Sequence, residues 1–504
     1  MTSSAWIIGL SSLLAGACAG GASSPPPTVP APAHAPAPSP SASAPTSAAL
    51  AVAPPAAKES AVALEYGATA QRIREAALAS DGAFQKLSEL TDSIGARLSG
   101  SPALERAVMW AKDTLLREGH ERVTLEPVKV PRWLRGTQEA RIVGPIAREL
   151  PVLALGGSVA TPAGGITAEL LVVGSFQELE ARKAEVRGKI VLLDHPMSKH
   201  GNAGLAYGEA IGYRTLGAAR AAPFGAVAVL VRSLTARSLS TLHTGSSRYP
   251  DPKTPKIAGA AVSVEDAELL HRLAARGDKV RVHLALSPRM LPDADSANVL
   301  AEIRGRELPE QVVVIAAHLD SWDVGQGAQD DGAGVVTVIQ ALTTLRSLGL
   351  APRRTLRVVL FTNEENGLRG ATQYALDHKA ERHVAAFEMD AGSGAPLGFM
   401  TEGEQPYLAE ARETAALLAP IGASSKSAGF SGEDVQKLKP AGVPLFGVSL
   451  DIEHYFDVHH SAADTLDKVE PEHLKKAVAA LATMAFVVAD RSGSWDTPGA
   501  GPQQ

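Results

Sequence analysis

The stretch QVVVIAAHLDSWDVGQGAQDDGAGVVTVIQALTTLRSLGLAPRRTLRVVLFTNEE, residues 311–365, decides the fold. It opens with Val312–Ala316, a continuous apolar run that is typical of a strand buried on both faces. A second run of this kind, Leu356–Phe361, closes it. The stretch therefore predicts a strand, a helix and a second strand in succession, because one apolar stripe lies between the runs and has helical spacing. That stripe consists of Val335, Val338, Ile339, Leu342 and Leu345.

The alternation continues on both sides of this stretch. Val384–Met389 and Leu445–Leu450 are two more apolar runs. Strands that alternate with helices predict an α/β fold built on a layered sheet. Upstream, Leu64–Leu90 and Ala103–Glu118 have the apolar spacing of helices. We therefore expect folding to begin near Ala61, with helices before the sheet.

The chain between these two parts has a different texture. Short runs of β character, Leu170–Val173, Lys189–Leu193 and Ala226–Val231, are separated by turn residues, and we find no cluster of metal ligands among them. This composition favours an inserted, β-rich domain. The expected divisions are 61–127 for the first part of the main domain, 128–290 for the insert, 291–490 for the rest of the main domain, and 491–504 for a flexible tail.

Ionisable residues follow three of the predicted strands. His318 and Asp320 come at the end of the first strand, Glu364 and Glu365 at the end of the second, and Asp390 at the end of the third. In open α/β sheets, ligands bind at the carboxyl ends of the strands. The sequence therefore predicts that these side chains meet at one edge of the sheet.

His318 and Asp320 have the spacing of a metal-binding histidine and its supporting carboxylate. Residues i and i+2 of a strand point the same way, so Asp320 can accept the second ring N–H of His318. Asp330 lies in a glycine-rich turn before the helix, where its carboxylate could bridge two metals. The alternatives are a surface His–Asp pair and an acidic helix N-cap, a position that Asp favours.

The remaining candidates are Glu364, Glu365, Asp390 and His460. Adjacent side chains at a strand end diverge, so one glutamate can bind metal while the other reaches a metal-bound water. Asp390 ends an apolar strand, and His460 lies in His459-His460-Ser461. Taken singly, each of these residues also fits a structural role, such as a solvated charge pair.

Two imidazoles and three carboxylates suit zinc. Two Zn²⁺ ions carry four positive charges, three carboxylates neutralise three, and a hydroxide would neutralise the remaining charge of about +1. A zinc pair also lowers the pKa of its water to about 7, which is the state that a hydrolase needs.

Together these motifs resemble the co-catalytic zinc aminopeptidase and carboxypeptidase family. The resemblance covers about residues 64–488, and it implies a mixed β-sheet sandwiched by helices, with a protease-associated domain as the insert. It is carried by Ala317–Ala328 (AHLDSWDVGQGA), Asp330-Asp331-Gly332, Glu364-Glu365, Asp390, His460-Ser461 with Asp464-Thr465, and, in the insert, Arg187–Val191.

The resemblance also implies a role for each site residue. His318 would bind one zinc, Asp330 would bridge both ions, and Glu365, Asp390 and His460 would complete the pair. Glu364 would be the general base and acid. In the family's motif the liganding histidine directly precedes Ser or Thr, which favours His460 over His459.

The first residues indicate export. Ala5–Ala17 is apolar or small and is too short to span a bilayer, as in a signal peptide, although no Lys or Arg precedes it. The run Leu14–Cys18 resembles the lipobox of bacterial lipoproteins, and the alternative is a plain signal peptide with an incidental cysteine. We expect a signal over 1–18, a disordered Ala/Pro/Ser-rich tether over 19–60, and a lipid anchor at Cys18 in the bacterial periplasm or on the cell surface.

The expected activity is hydrolysis of dipeptides or short peptides with a free terminus. An aminopeptidase for longer peptides and a glutaminyl cyclase are alternatives on the same fold, and a metal-free binding module is an alternative of another class. Receptors of that kind lose metal ligands, whereas this chain has all five and Glu364. The net charge of −6 and the absence of a basic tract exclude nucleic acid as an expected partner, while a homodimer is compatible with the sequence.

Overall fold

The central strand of the molecule is the one that the opening stretch predicts. In a computed structural model, which describes residues 60–401 and 408–492, the strand Leu308–His318 pairs in parallel with Arg354–Phe361 on one side and with Arg382–Glu388 on the other. All three strands are almost wholly buried along their apolar runs, because helices cover both faces of the sheet.

The helices and strands of the described part have the following bounds. The α-helices are α1 (Ala61–Leu78), α2 (Gly82–Ser93), α3 (Pro102–Arg117), α4 (Phe176–Ala181), α5 (Lys183–Val186), α6 (Ala203–Ala221), α7 (Val264–Ala275), α8 (Ala333–Ser347), α9 (Arg369–Asp377), α10 (Leu408–Ala416), α11 (Tyr455–Val458) and α12 (Pro471–Asp490). The strands are β1 (Val123–Leu134), β2 (Gln138–Gly144), β3 (Arg148–Glu149), β4 (Leu153–Ala154), β5 (Ile166–Val173), β6 (Ile190–Leu193), β7 (Ala228–Arg232), β8 (Ala258–Val262), β9 (Arg281–Leu286), β10 (Arg289–Ile303), β11 (Leu308–His318), β12 (Arg354–Phe361), β13 (Arg382–Glu388), β14 (Pro396–Thr401), β15 (Ser425–Ala428) and β16 (Leu445–Leu450). Single turns of tighter helix occupy Ala222–Phe224, Ala419–Ile421 and Leu466–Lys468, a longer stretch of tighter helix occupies Val435–Ala441, and Ala328–Gly332 is an irregular turn.

The first sheet has eight strands in the order β1-β10-β12-β11-β13-β16-β14-β15. Its centre, β12-β11-β13-β16, is parallel. The strands β1 and β10 pair in antiparallel fashion with their neighbours, and β14 is antiparallel to β16 but parallel to the edge strand β15. The sheet is therefore mixed, as predicted. The parallel centre places the carboxyl ends of β11, β12 and β13 at one edge.

Alternate residues of β11 enter two different cores. Val313 and Ile315 belong to the large core that also contains α1, α2, α8 and α12. Val312 and Val314 face the opposite core, which includes Tyr374 of α9. This division explains why the strand is a continuous apolar run, since each of its faces is buried under helices.

Residues 138–286 form a second eight-stranded sheet, in the order β3-β2-β9-β5-β6-β7-β8-β4. Its strands β5 to β8 are parallel and lie between two apolar clusters. The second sheet covers a shorter range of residues than the expected insert, 128–290. The reason is that β1 and β10, at the two ends of that range, pair with each other in the first sheet, from Val123↔Ala301 to Leu134↔Arg289. Both sheets belong to one compact unit, Lys58–Gln504.

Three expected segments lie almost wholly outside the described residues. They are the signal over 1–18 with Cys18, the tether over 19–60, of which only Ser60 is described, and the tail over 491–504, of which only the first two residues are described. Among the helices that the structure describes, none has the length and apolarity needed to span a membrane.

Candidate metal centre

The predicted site residues meet at the carboxyl edge of the first sheet. His318 is the last residue of β11, Glu364 and Glu365 follow β12, and Asp390 follows β13. Asp330 lies in the turn Ala328–Gly332 that precedes α8, and His460 follows the short helix α11.

Asp330 stands between two groups of ligand atoms. Its Oδ1 lies 3.1 Å from His318 Nε2, and its Oδ2 lies 3.1 Å from His460 Nε2. His318 Nε2 is also 3.4 Å from Asp390 Oδ1, and His460 Nε2 is 3.0 Å from Glu365 Oε2. The five predicted ligands therefore form two sets that share Asp330.

The neighbouring histidine, His459, is also close to Asp330. Its ring stacks on that of His460 with 3.6 Å between centroids, and its Nε2 lies 3.4 Å from Asp330 Oδ2. Among the ion pairs of the described residues, however, Glu365 contacts His460 and not His459. The geometry thus favours His460 as the ligand that completes the second set, since it faces two carboxylates.

The electrostatics of the site suit a cation. Glu365 Oε1 and Asp330 Oδ2 are buried and accept no hydrogen bond, although His460 Nε2 lies close to the latter. Burial raises the pKa of Glu365 to about 7, and the charge of Asp330 adds to this shift. Burial alone would lower the pKa of His460, but Glu365 and Asp330 raise it to about 9.

Zinc fits this set of donors. Imidazole nitrogens and carboxylate oxygens are its usual ligands in proteins, together with thiolates. Two sets of ligand atoms, each gathered within 4.8 Å, are close enough to hold an ion: His318 with Asp330 and Asp390, and Asp330 with His459 and His460. The orphaned carboxylate oxygens are the groups that such ions would satisfy.

Asp320 has a different contact from the one predicted. The ring Nδ1 of His318 donates to the backbone carbonyl of Asp320 at 2.9 Å, whereas the Asp320 carboxylate is 3.9 Å away. The reason is that β11 ends at His318, so the two residues no longer have the i, i+2 geometry of a strand. The carbonyl still directs His318 Nε2 towards the site.

The Asp320 carboxylate instead holds the segment that carries Glu364. Its Oδ1 accepts the Glu364 backbone N–H at 2.9 Å, and its Oδ2 accepts the hydroxyl of Ser99 at 3.0 Å. Burial raises the pKa of Glu364 well above its usual value; His318 opposes this shift, and the charges of Asp390, Glu365 and Asp434 add to it. A carboxyl group with a raised pKa next to the ligands suits proton transfer.

Three supporting residues were not predicted from the sequence. Asp464 accepts the backbone N–H groups of Gln329 and Asp330 at 2.6 and 3.1 Å. Asp331 accepts the backbone N–H of His318 at 3.1 Å, and the fully buried Arg97 donates to backbone carbonyls of the loop that ends at Gly327. The two acidic residues, Asp331 and Asp464, lie inside the quoted motifs, but their roles become visible only from the backbone groups that they contact in the folded protein.

Comparisons with known proteins place the chain among peptidases. The model of peptidase family M28 matches residues 298–485. Carboxypeptidase Q of Mus musculus is 42% identical over 409 residues, which cover 81% of this chain and 85% of that protein. Carboxypeptidase Q of Homo sapiens is 42% identical over 414 residues, with 82% and 86% covered.

Solved structures show the same fold. The peptidase M28 precursor from Shewanella amazonensis SB2B superimposes with a TM-score of 0.82 at 36% identity, over 85% of this chain and 98% of that one. A zinc aminopeptidase from Bacillus subtilis has a TM-score of 0.59 at 20% identity, over 81% and 95% of the two chains, and this likeness shows the fold alone. On these grounds the chain belongs to peptidase family M28 and is a metallo-exopeptidase.

Proposed function

We propose that this enzyme hydrolyses dipeptides or short peptides with a free terminus, with two zinc ions as its cofactor. The observation that carries the proposal is the position of Asp330, whose two carboxylate oxygens each lie 3.1 Å from a different histidine. A carboxylate that faces two ligand sets in this way suits a pair of ions better than one.

His318 and Asp390 would hold one ion, His460 and Glu365 the other, and Asp330 both. When bound, zinc supplies a water of lowered pKa, about 7, and an electrophile that polarises the scissile carbonyl. The carbonyl of Asp320 and that of Thr244, 3.2 Å from His460 Nδ1, fix the two imidazole rings so that each Nε2 faces Asp330.

Glu364 would be the general base and then the general acid. Its carboxyl group takes the proton of the attacking water and returns it to the leaving amine, so one group serves both halves of the reaction. The hydrogen bond from its backbone N–H to Asp320 fixes the start of this side chain, which reduces the motion that would separate base and water.

The substrate class is tested with a panel of peptides. Unblocked dipeptides, the same dipeptides blocked at either terminus, longer peptides and N-terminal glutaminyl peptides are incubated with the enzyme, with and without a chelator. We expect cleavage of the unblocked dipeptides that is lost with chelator and restored by zinc. Preference for longer peptides would indicate an aminopeptidase, cyclisation of glutaminyl peptides a cyclase, and no turnover of any substrate a binding module.

We also propose that the second sheet with its helices, residues 138–286 of the expected insert 128–290, forms a protease-associated domain, and that the enzyme is exported and carries a lipid at Cys18. Support for export comes from the small residues before Cys18 and from the run that follows, which has no charged residue up to Ala57. Intact-mass measurement of membrane-extracted protein tests the lipid. A mature protein without added lipid mass, with all activity in the soluble fraction, would contradict it.

A further inference from the structure

A loop that joins strands β7 and β8 of the second sheet contacts His460 directly. The backbone N–H of Thr244 donates to the carbonyl of His460 at 2.9 Å, and His460 Nδ1 donates to the carbonyl of Thr244 at 3.2 Å. The ring of His243 bonds to the carbonyl of His459 at 2.8 Å. Two residues of this loop thus hold the adjacent histidines His459 and His460.

The backbone of His460 needs this support. Its φ is +59°, in the left-handed region that side chains with a Cβ adopt at an energetic cost. Such a conformation persists where surrounding contacts determine it, and here hydrogen bonds to Thr244 hold the residue from its carbonyl and from its ring. The orientation of the imidazole therefore depends on where the Thr244 carbonyl lies.

Arg214, on helix α6, fixes that carbonyl. Its side chain is buried, and it donates from Nη1 to the Thr244 carbonyl at 3.1 Å and from Nη2 to the hydroxyl of Tyr207 at 2.7 Å. The chain leaves room for it at Gly245, where a Cβ would lie 2.3 Å from the guanidinium. Among the ion pairs of the described residues, Arg214 has no carboxylate partner.

The same loop also bonds to Glu365, the carboxylate that shares the second set of ligands with His460. The hydroxyl of Ser246 donates to the backbone carbonyl of Glu365 at 2.7 Å. Four consecutive residues of this loop, His243–Ser246, therefore include contacts to both His460 and Glu365. The ligands of the first set, His318 and Asp390, receive no hydrogen bond from this loop among the described residues.

We propose that Arg214 is a positioning residue, which acts through the Thr244 carbonyl to orient His460, and that the second sheet thereby sets the zinc affinity of one of the two metal positions. The inference rests on the proposed function, because it assumes that His460 and Glu365 bind zinc. Removal of a group that orients a metal ligand typically weakens metal affinity about 10- to 100-fold. The effect should be confined to the His460 position.

Arg232 provides the matched control. It is a second buried arginine, on strand β7 next to α6 in the chain, and it pairs with Asp194 at 3.0 Å and with Glu268 at 2.9 Å, away from the metal ligands. Arg232→Met should lower thermal stability, because the buried Asp194 then keeps only His271 as its partner, and it should leave zinc affinity unchanged. A general loss of packing would therefore act in both variants, and a positioning role only in Arg214→Met.

The experiment measures zinc per chain in the full-length protein at graded concentrations of a competing chelator. We expect wild type and Arg232→Met to retain two equivalents over the same range, and Arg214→Met to release one equivalent at about 10- to 100-fold lower chelator while it retains the other. Equal zinc affinity in the two variants, or equal loss of both equivalents in Arg214→Met, would overturn the inference. A wild-type protein that holds fewer than two equivalents would instead refute the proposed zinc pair.

Ser246→Ala keeps the inference testable if Arg214→Met does not fold. It removes one half-buried hydroxyl and its hydrogen bond to Glu365, so the protein should remain folded. We expect the same single equivalent to be released at about two- to tenfold lower chelator. Zinc release identical to that of wild type would overturn the role of the loop.

Discussion

Glu364 and Glu365 are neighbours in the chain but face different partners. Glu365 Oε2 lies 3.0 Å from His460 Nε2, whereas Glu364 is held through its backbone N–H by Asp320. One glutamate can therefore serve as a ligand while the other remains available for proton transfer. Substitution of Glu364 tests this division of roles.

Glu364→Gln should retain zinc and lose most of its turnover. The amide keeps the shape of the side chain but cannot take the proton of water, so kcat should fall at least about 10²-fold. Steady-state kinetics and zinc content are measured on the same preparation. If zinc is lost together with activity, the roles of Glu364 and Glu365 are reversed.

His460→Ala should release zinc far more readily than His459→Ala. Both rings lie near Asp330, but among the ion pairs of the described residues Glu365 is reached by His460 and not by His459. Removal of His460 therefore leaves two carboxylates without their shared partner. Zinc content after dialysis distinguishes the two variants, and comparable losses would assign both histidines to the metals.

At the scale of elements, the apolar runs are what made the first sheet predictable. The strands β11, β12, β13 and β16 are buried on both faces, so their sequences are almost continuously apolar and could be recognised without any spatial information. Because they are parallel neighbours, the ionisable residues that follow them meet, as the strand-end argument predicted. The apolar spacing over Leu64–Leu90 does not show the break between two helices, since α1 ends at Leu78 and α2 begins at Gly82.

Other features depend on contacts between distant parts of the chain. The hydrogen bond between His460 and Thr244 joins residues that are 216 positions apart in the chain. No local sequence pattern predicts this bond or the positive φ of His460. The Asp320 carboxylate likewise bonds to the backbone of Glu364 and to the side chain of Ser99, and both residues are far from Asp320 in the chain. The sequence could therefore indicate the candidate metal ligands but not the groups that orient them.

The segment after α11 should control both metal positions through Asp464. Its carboxylate holds the backbone of Gln329 and Asp330, so Asp464→Ala should displace the bridging residue and weaken both zinc equivalents together, by about 10- to 100-fold. Asp467→Ala, which removes an exposed carboxylate three residues later, is the control. Chelator competition that releases only one equivalent from Asp464→Ala would show that Asp330 does not bridge.

At the scale of the whole molecule, buried histidines make stability depend on pH. Burial lowers the pKa of His120 from 6.5 to about 4, so this group is neutral in the folded protein where the unfolded chain would be protonated. Between these two values the unfolded state binds more protons, and the free energy of unfolding must fall as the pH falls.

His120→Gln should reduce this loss. We expect the slope of unfolding free energy against pH, between about pH 6.5 and pH 4, to decrease by up to about 1.4 kcal/mol per pH unit relative to the parent protein. His120 contacts Thr343 and none of the metal ligands, so its effect is separate from that of zinc. Denaturant unfolding at several pH values measures the slope, with the exposed His200→Gln as control. An unchanged slope would mean that His120 is protonated in both states.

The position of helix α12 in the chain determines when the first sheet can be fully covered during synthesis. It packs against α1 and α8, and every side chain from Ala477 to Ala489 is buried. The ribosome makes all the strands of the first sheet before it makes this helix, so one face of that sheet, which α1, α2 and α8 also cover, stays partly uncovered while translation continues. A nascent chain with so much open apolar surface is prone to aggregate and is a good client for chaperones. Only when α12 has left the ribosomal tunnel can the sheet acquire its last cover.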